Sequence, residues 1–464
     1  MKASTRSARI IHCLSGAPVL LLVLAGILHN PPPAHAVPAF ARKYGLPCSA
    51  CHVGWPMLNN FGQVFKDNGY QLGNDRDSPI TRDASYFPIA VRMTPAWHRE
   101  SANNQIVDAT PGNASVEAGR AYSTSGFDLS GIDLWFVGTL YKNISFSVLP
   151  SSDGTAAFHF ENAFVRFDNI LGSQWLNFKM GKYELDLPVS EKRMLTLSNN
   201  GGFYYIYHFL PYGDSNFFGG IGDNQLGVEL AGHNANSYTR YAFSLLSSND
   251  GNPNTPYGRT MDYYANFDQA IPTGNMGIVR VSGFGYFGHS PTYYLTTGGA
   301  AIPGTGIGNE PFYRVGGSLR WYLDKLDIQT VFLHGYENGY LANGIASNTG
   351  PLPTGDRSAQ WNGGFVETNY ALNPQLVITG RYEGIRMSQQ GSESTASNLG
   401  DLDAFTVGYR WYPMMYSRAG LAWHQEYSVV KSQSVGNIGG EFAPSFNSQN
   451  VTSSSIFMGF DFAF

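Results

Sequence analysis

The chain of 464 residues has only 3 cysteines, and only 14% of it is charged. Cys13 belongs to an amino-terminal address: Lys2, Arg6 and Arg9 precede an apolar run from Ala17 to Leu28, and Ala34-His35-Ala36 supplies the small residues of a signal-peptidase site. Residues 1–36 therefore read as a signal peptide. The run is short for a membrane span and Cys13 has no lipobox, which argues against an anchored helix or a lipoprotein. An exported chain then keeps Cys48 and Cys51 alone, which is no disulfide framework. Beyond the signal there is no apolar run of about eighteen residues, which excludes transmembrane helices. A formal net charge of −5 gives no electrostatic case for nucleic-acid binding. No Gly-rich phosphate loop, Ser-His-Asp order or pair of catalytic carboxylates stands out.

What is present is 54 glycines and 14% aromatic residues, a composition that suits a membrane β-barrel, whose signal lies in alternation. From Tyr86 onward the chain has period two. Tyr313, Val315, Gly317, Leu319, Trp321 and Leu323 alternate with Arg314, Gly316, Ser318, Arg320, Tyr322 and Asp324; Phe405, Val407, Tyr409 and Trp411 alternate with Thr406, Gly408 and Arg410. Because the inward face of a soluble sandwich is also apolar, alternation alone does not decide. Ile456, Met458, Phe460, Phe462 and Phe464 share one face of a last strand that ends on phenylalanine, which resembles the closing strand of bacterial outer-membrane proteins.

Counting segments predicts about 16 strands, near 87–99, 129–142, 143–150, 156–168, 174–187, 224–232, 237–247, 261–270, 275–288, 312–325, 326–340, 360–372, 375–387, 402–413, 416–430 and 453–464. Tight connections fall at Tyr141-Lys142-Asn143-Ile144, Asp324-Lys325-Leu326, Leu372-Asn373-Pro374 and Met414-Met415-Tyr416. Long polar ones fall at 101–126, 188–223, 289–311, 341–359 and 388–401. Short turns at one end and long loops at the other is the outer-membrane arrangement. The fold class is thus mainly β, an antiparallel outer-membrane barrel over 86–464, preceded by a small α-helical unit over 37–85.

That unit carries Cys48-Ser49-Ala50-Cys51-His52, and C-x-x-C-H is the attachment signature of a c-type haem. Two thiols at this spacing add to the two vinyl groups of one porphyrin, and the adjacent imidazole becomes the proximal iron ligand. A thioredoxin-like pair would need a βαβ pattern, and a zinc site two further ligands nearby; neither is visible. Leu58, Phe61 and Phe65 fall at helical spacing after Asn59-Asn60, with Asn68-Gly69 as a stop. Trp55, Phe61, Phe65 and Tyr70 are expected against the porphyrin. Within 37–85, His52 is the only histidine and Met57 the only methionine, and Met57 lies on the proximal side. The sixth ligand is therefore sought in the barrel, at Met93 or, alternatively, His98; Met–His ligation raises the potential, which suits a weak reductant.

The expected lumen set is Arg314, Arg320, Arg381, Arg410 and Arg418 with Asp324, Glu383 and Glu426, a mixture that either tunes ion passage or fills the interior with paired groups. His159 with Glu161, and Glu184 with Asp186, place metal-compatible groups two apart on one strand face, and no role is assigned to them.

The run Phe40-Ala41-Arg42-Lys43-Tyr44-Gly45 into the haem motif, then Pro56-Met57-Leu58-Asn59-Asn60-Phe61-Gly62 and Phe65-Lys66-Asp67-Asn68-Gly69-Tyr70, resembles the amino-terminal domain of fused outer-membrane monohaem cytochrome c–porins, best known from iron-oxidising bacteria. The resemblance covers about the first forty residues after the signal; the remainder is similar in architecture only. It implies one covalent haem c on Cys48, Cys51 and His52, a Gram-negative outer membrane, and an Fe(II)-oxidising cytochrome. It also implies extracellular Fe(II) as donor, and a periplasmic cytochrome or copper protein as acceptor. The haem domain would sit at the periplasmic side or inside the barrel. A porin with a haem-bearing plug, and a conduit running outward to an extracellular acceptor, are the alternatives.

Overall fold

The computed structural model describes Phe40 and residues 43–72, 89–108, 116–152, 157–209, 220–247, 261–291, 309–337, 358–389, 400–416, 419–432 and 450–464. The signal peptide, Arg418 and most of the expected long loops lie outside these residues.

A strand whose successive side chains point to opposite faces can bury a polar face only inside a closed barrel. The chain closes such a barrel of 16 antiparallel strands. They run β3 (Ile89–Asp108), β4 (Val116–Tyr141), β5 (Ile144–Ser152), β6 (His159–Phe167), β7 (Asn177–Glu184), β8 (Asn224–His233), β9 (Thr239–Leu246) and β10 (Asp262–Pro272). They continue with β11 (Ile278–Pro291), β12 (Asn309–Leu323), β13 (Leu326–Tyr336), β14 (Gln360–Asn373), β15 (Leu376–Gln389), β16 (Leu402–Tyr416), β17 (Ala419–Ser432) and β18 (Val451–Ala463). Each pairs with its neighbours in sequence, and β18 closes on β3 with Ser455 opposite Glu100 and Ala463 opposite Arg92. Phe464 and Val91 exchange both backbone hydrogen bonds, at 2.8 and 3.0 Å. On β13, Asp327, Gln329, Val331 and Leu333 are buried inward, while Phe332 is 64% exposed on the outer face. Phe267, Tyr382, Phe405, Phe460 and Phe464 are likewise outward and exposed. So continuous an apolar exterior is the surface of a barrel that crosses lipid. No helix among the described residues is long and apolar enough to cross.

Two expectations about connections are corrected. Within the expected loop 101–126, residues 101–108 and 116–126 are strand: β3 and β4 continue as a ladder, with Ala102 opposite Tyr122. Backbone pairing needs no apolar face, so where Ser123 and Ser125 replace outward apolar side chains the strand persists while its hydropathy signal stops. Met414-Met415-Tyr416 is not a turn: β16 runs on to Tyr416, opposite Ala419, and Met415 is buried. The turns at Lys142 (φ +43°) and Asp324 (φ +49°) are as expected, and Asp324 is therefore an exposed turn residue rather than part of the lumen set.

Two stretches of non-barrel chain fill the lumen. The first is the amino-terminal unit: α1 (Cys48–Cys51), a hairpin of β1 (His52–Gly54) and β2 (Met57–Leu58), and α2 (Asn60–Asp67). Asn59 caps α2 by accepting from the Gly62 amide at 2.9 Å. The second lies in the connection after β7, expected as a long loop over 188–223: residues 185–209 and 220–223 turn inward, with α3 (Tyr205–His208) among them. Its Leu187, Val189, Met194, Tyr204, Ile206 and Tyr207 pack with barrel residues such as Tyr264, Tyr286, Val331 and Phe365 in one buried cluster. Burying this many apolar groups in the lumen, at roughly 1.5–3 kcal/mol each, favours the inward path over a solvated loop.

Candidate functional site

Inward-pointing arginines of the barrel hold the amino-terminal unit by its backbone carbonyls. Arg166 Nη2 donates to Lys66 O and Asp67 O at 3.0 and 3.1 Å, Arg320 Nη2 to Leu58 O at 2.9 Å, and Arg410 Nη1 to Trp55 O at 3.2 Å. Tyr412 Oη donates to Trp55 O at 2.7 Å, and Arg280 Nη2 to Asn60 Oδ1 at 2.9 Å. All these barrel groups lie near the short-turn ends of their strands, so the unit sits in the short-turn mouth. Arg240 joins the two lumen insertions, pairing with Asp67 at 2.8 Å and Asp186 at 2.5 Å.

The rest of the expected lumen set clamps backbone too. Glu383 accepts from the amides of Tyr205 and Ile206 at 3.0 and 2.5 Å, Glu426 from that of Leu197 at 2.8 Å, and Arg381 donates to Gly201 O and Phe203 O, both at 2.8 Å. Arg314 pairs with Glu337 at 2.9 Å. These charges fix the second insertion and the barrel wall, the interior-filling role of the two weighed from sequence.

Between the insertions lies a cavity of about 230 Å³. Cys51 and His52 line it, with Trp55, Phe65 and Tyr70 as expected. Phe61 does not: it is 44% exposed in the first turn of α2 and is not among the lining residues. Its place is taken by Phe40 and Tyr44, which the helical spacing could not reveal; Phe40 stacks on Tyr70 at 5.6 Å and meets Phe65 edge-on at 4.9 Å. Cys48, one turn before Cys51, is buried in a cluster with Met57, Leu195 and Tyr412.

His52 Nδ1 lies 3.1 Å from Pro56 O and 3.3 Å from Met57 O, so it serves as the N–H donor and leaves the Nε2 lone pair for the cavity side. A ring nitrogen held on a backbone carbonyl while the other stays free is how ligating histidines are oriented. Burial first of all pushes this imidazole down to about 4, so the ring is neutral at neutral pH. The same cause pushes the Cys51 thiol up to about 11. A thiol pair on one helical turn, an oriented neutral imidazole and aromatic walls are what a covalent porphyrin with an axial histidine requires, and in that sense the residues fit a c-type haem. When bound, that group supplies reversible one-electron chemistry of iron.

Met93 and His98 are not brought to this cavity. Arg92 faces it, so Met93, its neighbour on β3, turns outward beside Phe462 and Ile132. His98 stands further along β3, 4.0 Å from Asp128. Met57 is buried against Gln329, off the cavity. Of the pairs given no role, Glu161 and Glu184 line the cavity, His159 is exposed, and Asp186 is bound to Arg240.

The α1–α2 contact depends on Gly62, because a Cβ there would meet Cys51 O at 2.1 Å. Gly62→Ala should therefore cost about 1–3 kcal/mol of overpacking and loosen the motif. Limited proteolysis should show faster cleavage within 43–72; an unchanged pattern would count against the contact.

No protein-family profile and no curated relative matches the chain. Among solved structures it is similar to an anion-selective porin from Comamonas acidovorans, with 10% identity over 81% of this chain and 99% of that one, and a TM-score of 0.50. The barrel is porin-like. Further similar structures are the trimeric OmpT of Vibrio cholerae (11% identity, 80% and 100% covered, TM-score 0.42) and OprB of Pseudomonas putida (8%, 81% and 94%, 0.43). At these identities the likeness concerns the fold.

Proposed function

We propose that the chain is an outer-membrane electron-transfer conduit, taking electrons from an extracellular donor, Fe(II) by resemblance, and passing them through one covalent haem c to a periplasmic cytochrome or copper protein. The observation that carries this reading is the seating of Cys48-Ser49-Ala50-Cys51-His52 in the barrel mouth, with His52 Nδ1 held on two carbonyls and its ring at an aromatic-walled cavity. Cys48 and Cys51 provide the thioethers and His52 the axial nitrogen. The arginine collar fixes the unit, and the second insertion covers the cavity from above. Outer-membrane barrels keep short turns in the periplasm and long loops outside. In that orientation the unit faces soluble carriers, and ferric product forms outside the cell.

The porin-like fold favours a second reading, a transport protein with a haem-bearing plug. Against free diffusion stands the buried apolar cluster spanning the lumen from Leu187 and Tyr204 to Tyr264, Val331 and Phe365. Added Fe(II) should produce the reduced haem spectrum within seconds, and planar bilayers should show little ion conductance. A haem inert to Fe(II) in a freely conducting barrel would replace the first reading with the second. A strongly negative midpoint potential would instead favour outward electron flow.

A further inference from the structure

The cavity beside His52 is cationic. Lys66, Arg92, Arg166, Lys179, Lys192 and Arg193 line it, against the carboxylates Glu161 and Glu184. Four of these cations have partners: Arg92 with Asp461 at 2.8 Å, Arg166 with Asp168 at 2.6 Å, Lys179 with Glu229 at 2.5 Å, and Arg193 with Glu184 at 2.7 Å. The ammonium groups of Lys66 and Lys192 form no ion pair or hydrogen bond among the described residues. Glu184 is already engaged by Arg193 and Ser190, at 2.7 and 2.5 Å. Both lysines are half-buried, and although burial lowers Lys192, the carboxylates of Glu161, Glu191 and Asp223 raise it above its ordinary value, so both ammonium groups are charged and directed to a cavity that an anion could enter.

The two lysines approach from different parts of the chain. Lys66 is on α2, one turn past Gly62, and Lys192 is on the second insertion. Burial foremost, then the neighbouring Arg193, pushes Lys66 down to about 8, a penalty that an incoming anion relieves. A haem offers two carboxylates at one edge of its ring, as many as there are lysines without a partner.

Resting on the haem reading above, we propose that Lys66 and Lys192 are the counter-ions of the two haem propionates. Lys192 thereby ties the second insertion to a group carried by the amino-terminal unit, so that attachment of the haem locks the two insertions together.

A haem stain of the unaltered chain after denaturing electrophoresis tests the haem reading by itself. The proposal is then tested with the full chain carrying Cys48→Ala and Cys51→Ala, His52 intact, titrated with haem and with haem dimethyl ester. The diacid should bind about tenfold more tightly or better, and Lys66→Gln with Lys192→Gln should abolish that preference while Lys→Arg at both sites keeps it. In the covalently loaded chain, the double Gln variant should lower the reduced-to-oxidised ratio at a fixed ambient potential about tenfold, and Arg should restore it. Equal binding of diacid and ester, or a preference indifferent to the lysines, overturns the proposal. So does a change of axial ligation in either Gln variant, which would make that lysine an iron ligand. If neither porphyrin binds without thioethers, the ratio in the loaded chain decides.

Discussion

Cys48→Ala combined with Cys51→Ala should yield a barrel that folds and carries no haem surviving denaturing electrophoresis, whereas either single variant keeps one thiol for one thioether. The two thiols occupy one helical turn, three residues apart, and so lie on one side of α1 with His52 immediately after. No other cysteine among the described residues could take their place. The barrel itself does not depend on them, since its ladder closes through β18 and β3. The loss should therefore be chemical rather than structural, with heat-modifiable mobility of the barrel retained. A haem-stained band in the double variant would refute attachment at the motif, and the proposed function with it.

Strand number and the polarity of the two faces were readable in the sequence because alternation is a local property. Each of the 16 predicted segments overlaps an observed strand, and Ile456, Met458, Phe460, Phe462 and Phe464 do lie on the outer face of β18. Alternation fails where its cause is missing. Residues 101–104 and 121–126 pair with Ser101, Asn103, Ser123 and Ser125 on the outer face, so the pattern gives no sign of them. The second insertion was misread for the opposite reason: Leu185, Leu187, Val189 and the Tyr204-Tyr205-Ile206-Tyr207 run are apolar enough to demand burial, but no periodicity says that the lumen receives them. At the site, C-x-x-C-H identifies Cys48, Cys51 and His52 by spacing alone, whereas the wall opposite is assembled from β3, β6, β7 and the second insertion. Glu161, Lys179 and Lys192 are distant in sequence from His52 and from one another. Only closure of the barrel brings them to one cavity. Met93 shows the same limit, since its distance along the chain suggested a ligand while the one-residue step from Arg92 turned it outward.

Asp461→Ala should destabilise the protein by about 3–5 kcal/mol, the cost of leaving buried charges without their partner. Asp461 is fully buried and receives Arg92 Nε and Nη2 at 3.0 and 2.8 Å and Arg410 Nη1 at 2.7 Å. Arg92 is on the first barrel strand and Asp461 on the last, so their ion pair reinforces the closing seam. Arg410 also donates to Leu195 O at 2.7 Å and to Trp55 O, while Arg92 lies 5.3 Å from the Trp55 ring. One carboxylate thus holds the seam, the amino-terminal unit and the second insertion in register. Its removal strands the fully buried Arg410 and leaves Arg92 with Asp133 alone, at 3.6 Å. The expected result is a lower denaturant midpoint in detergent, proteolytic release of 43–72, and new ion conductance through the opened mouth. The comparison variant is Asp403→Ala, which breaks the Arg386–Asp403 pair at 2.6 Å where the side chains are 50% and 44% exposed. Solvent already screens that pair, and the loss should be under about 1 kcal/mol. Equal midpoints for the two variants would show that the buried carboxylate does not organise the mouth. A shifted midpoint with the amino-terminal unit still protected would confine its role to the β18–β3 seam.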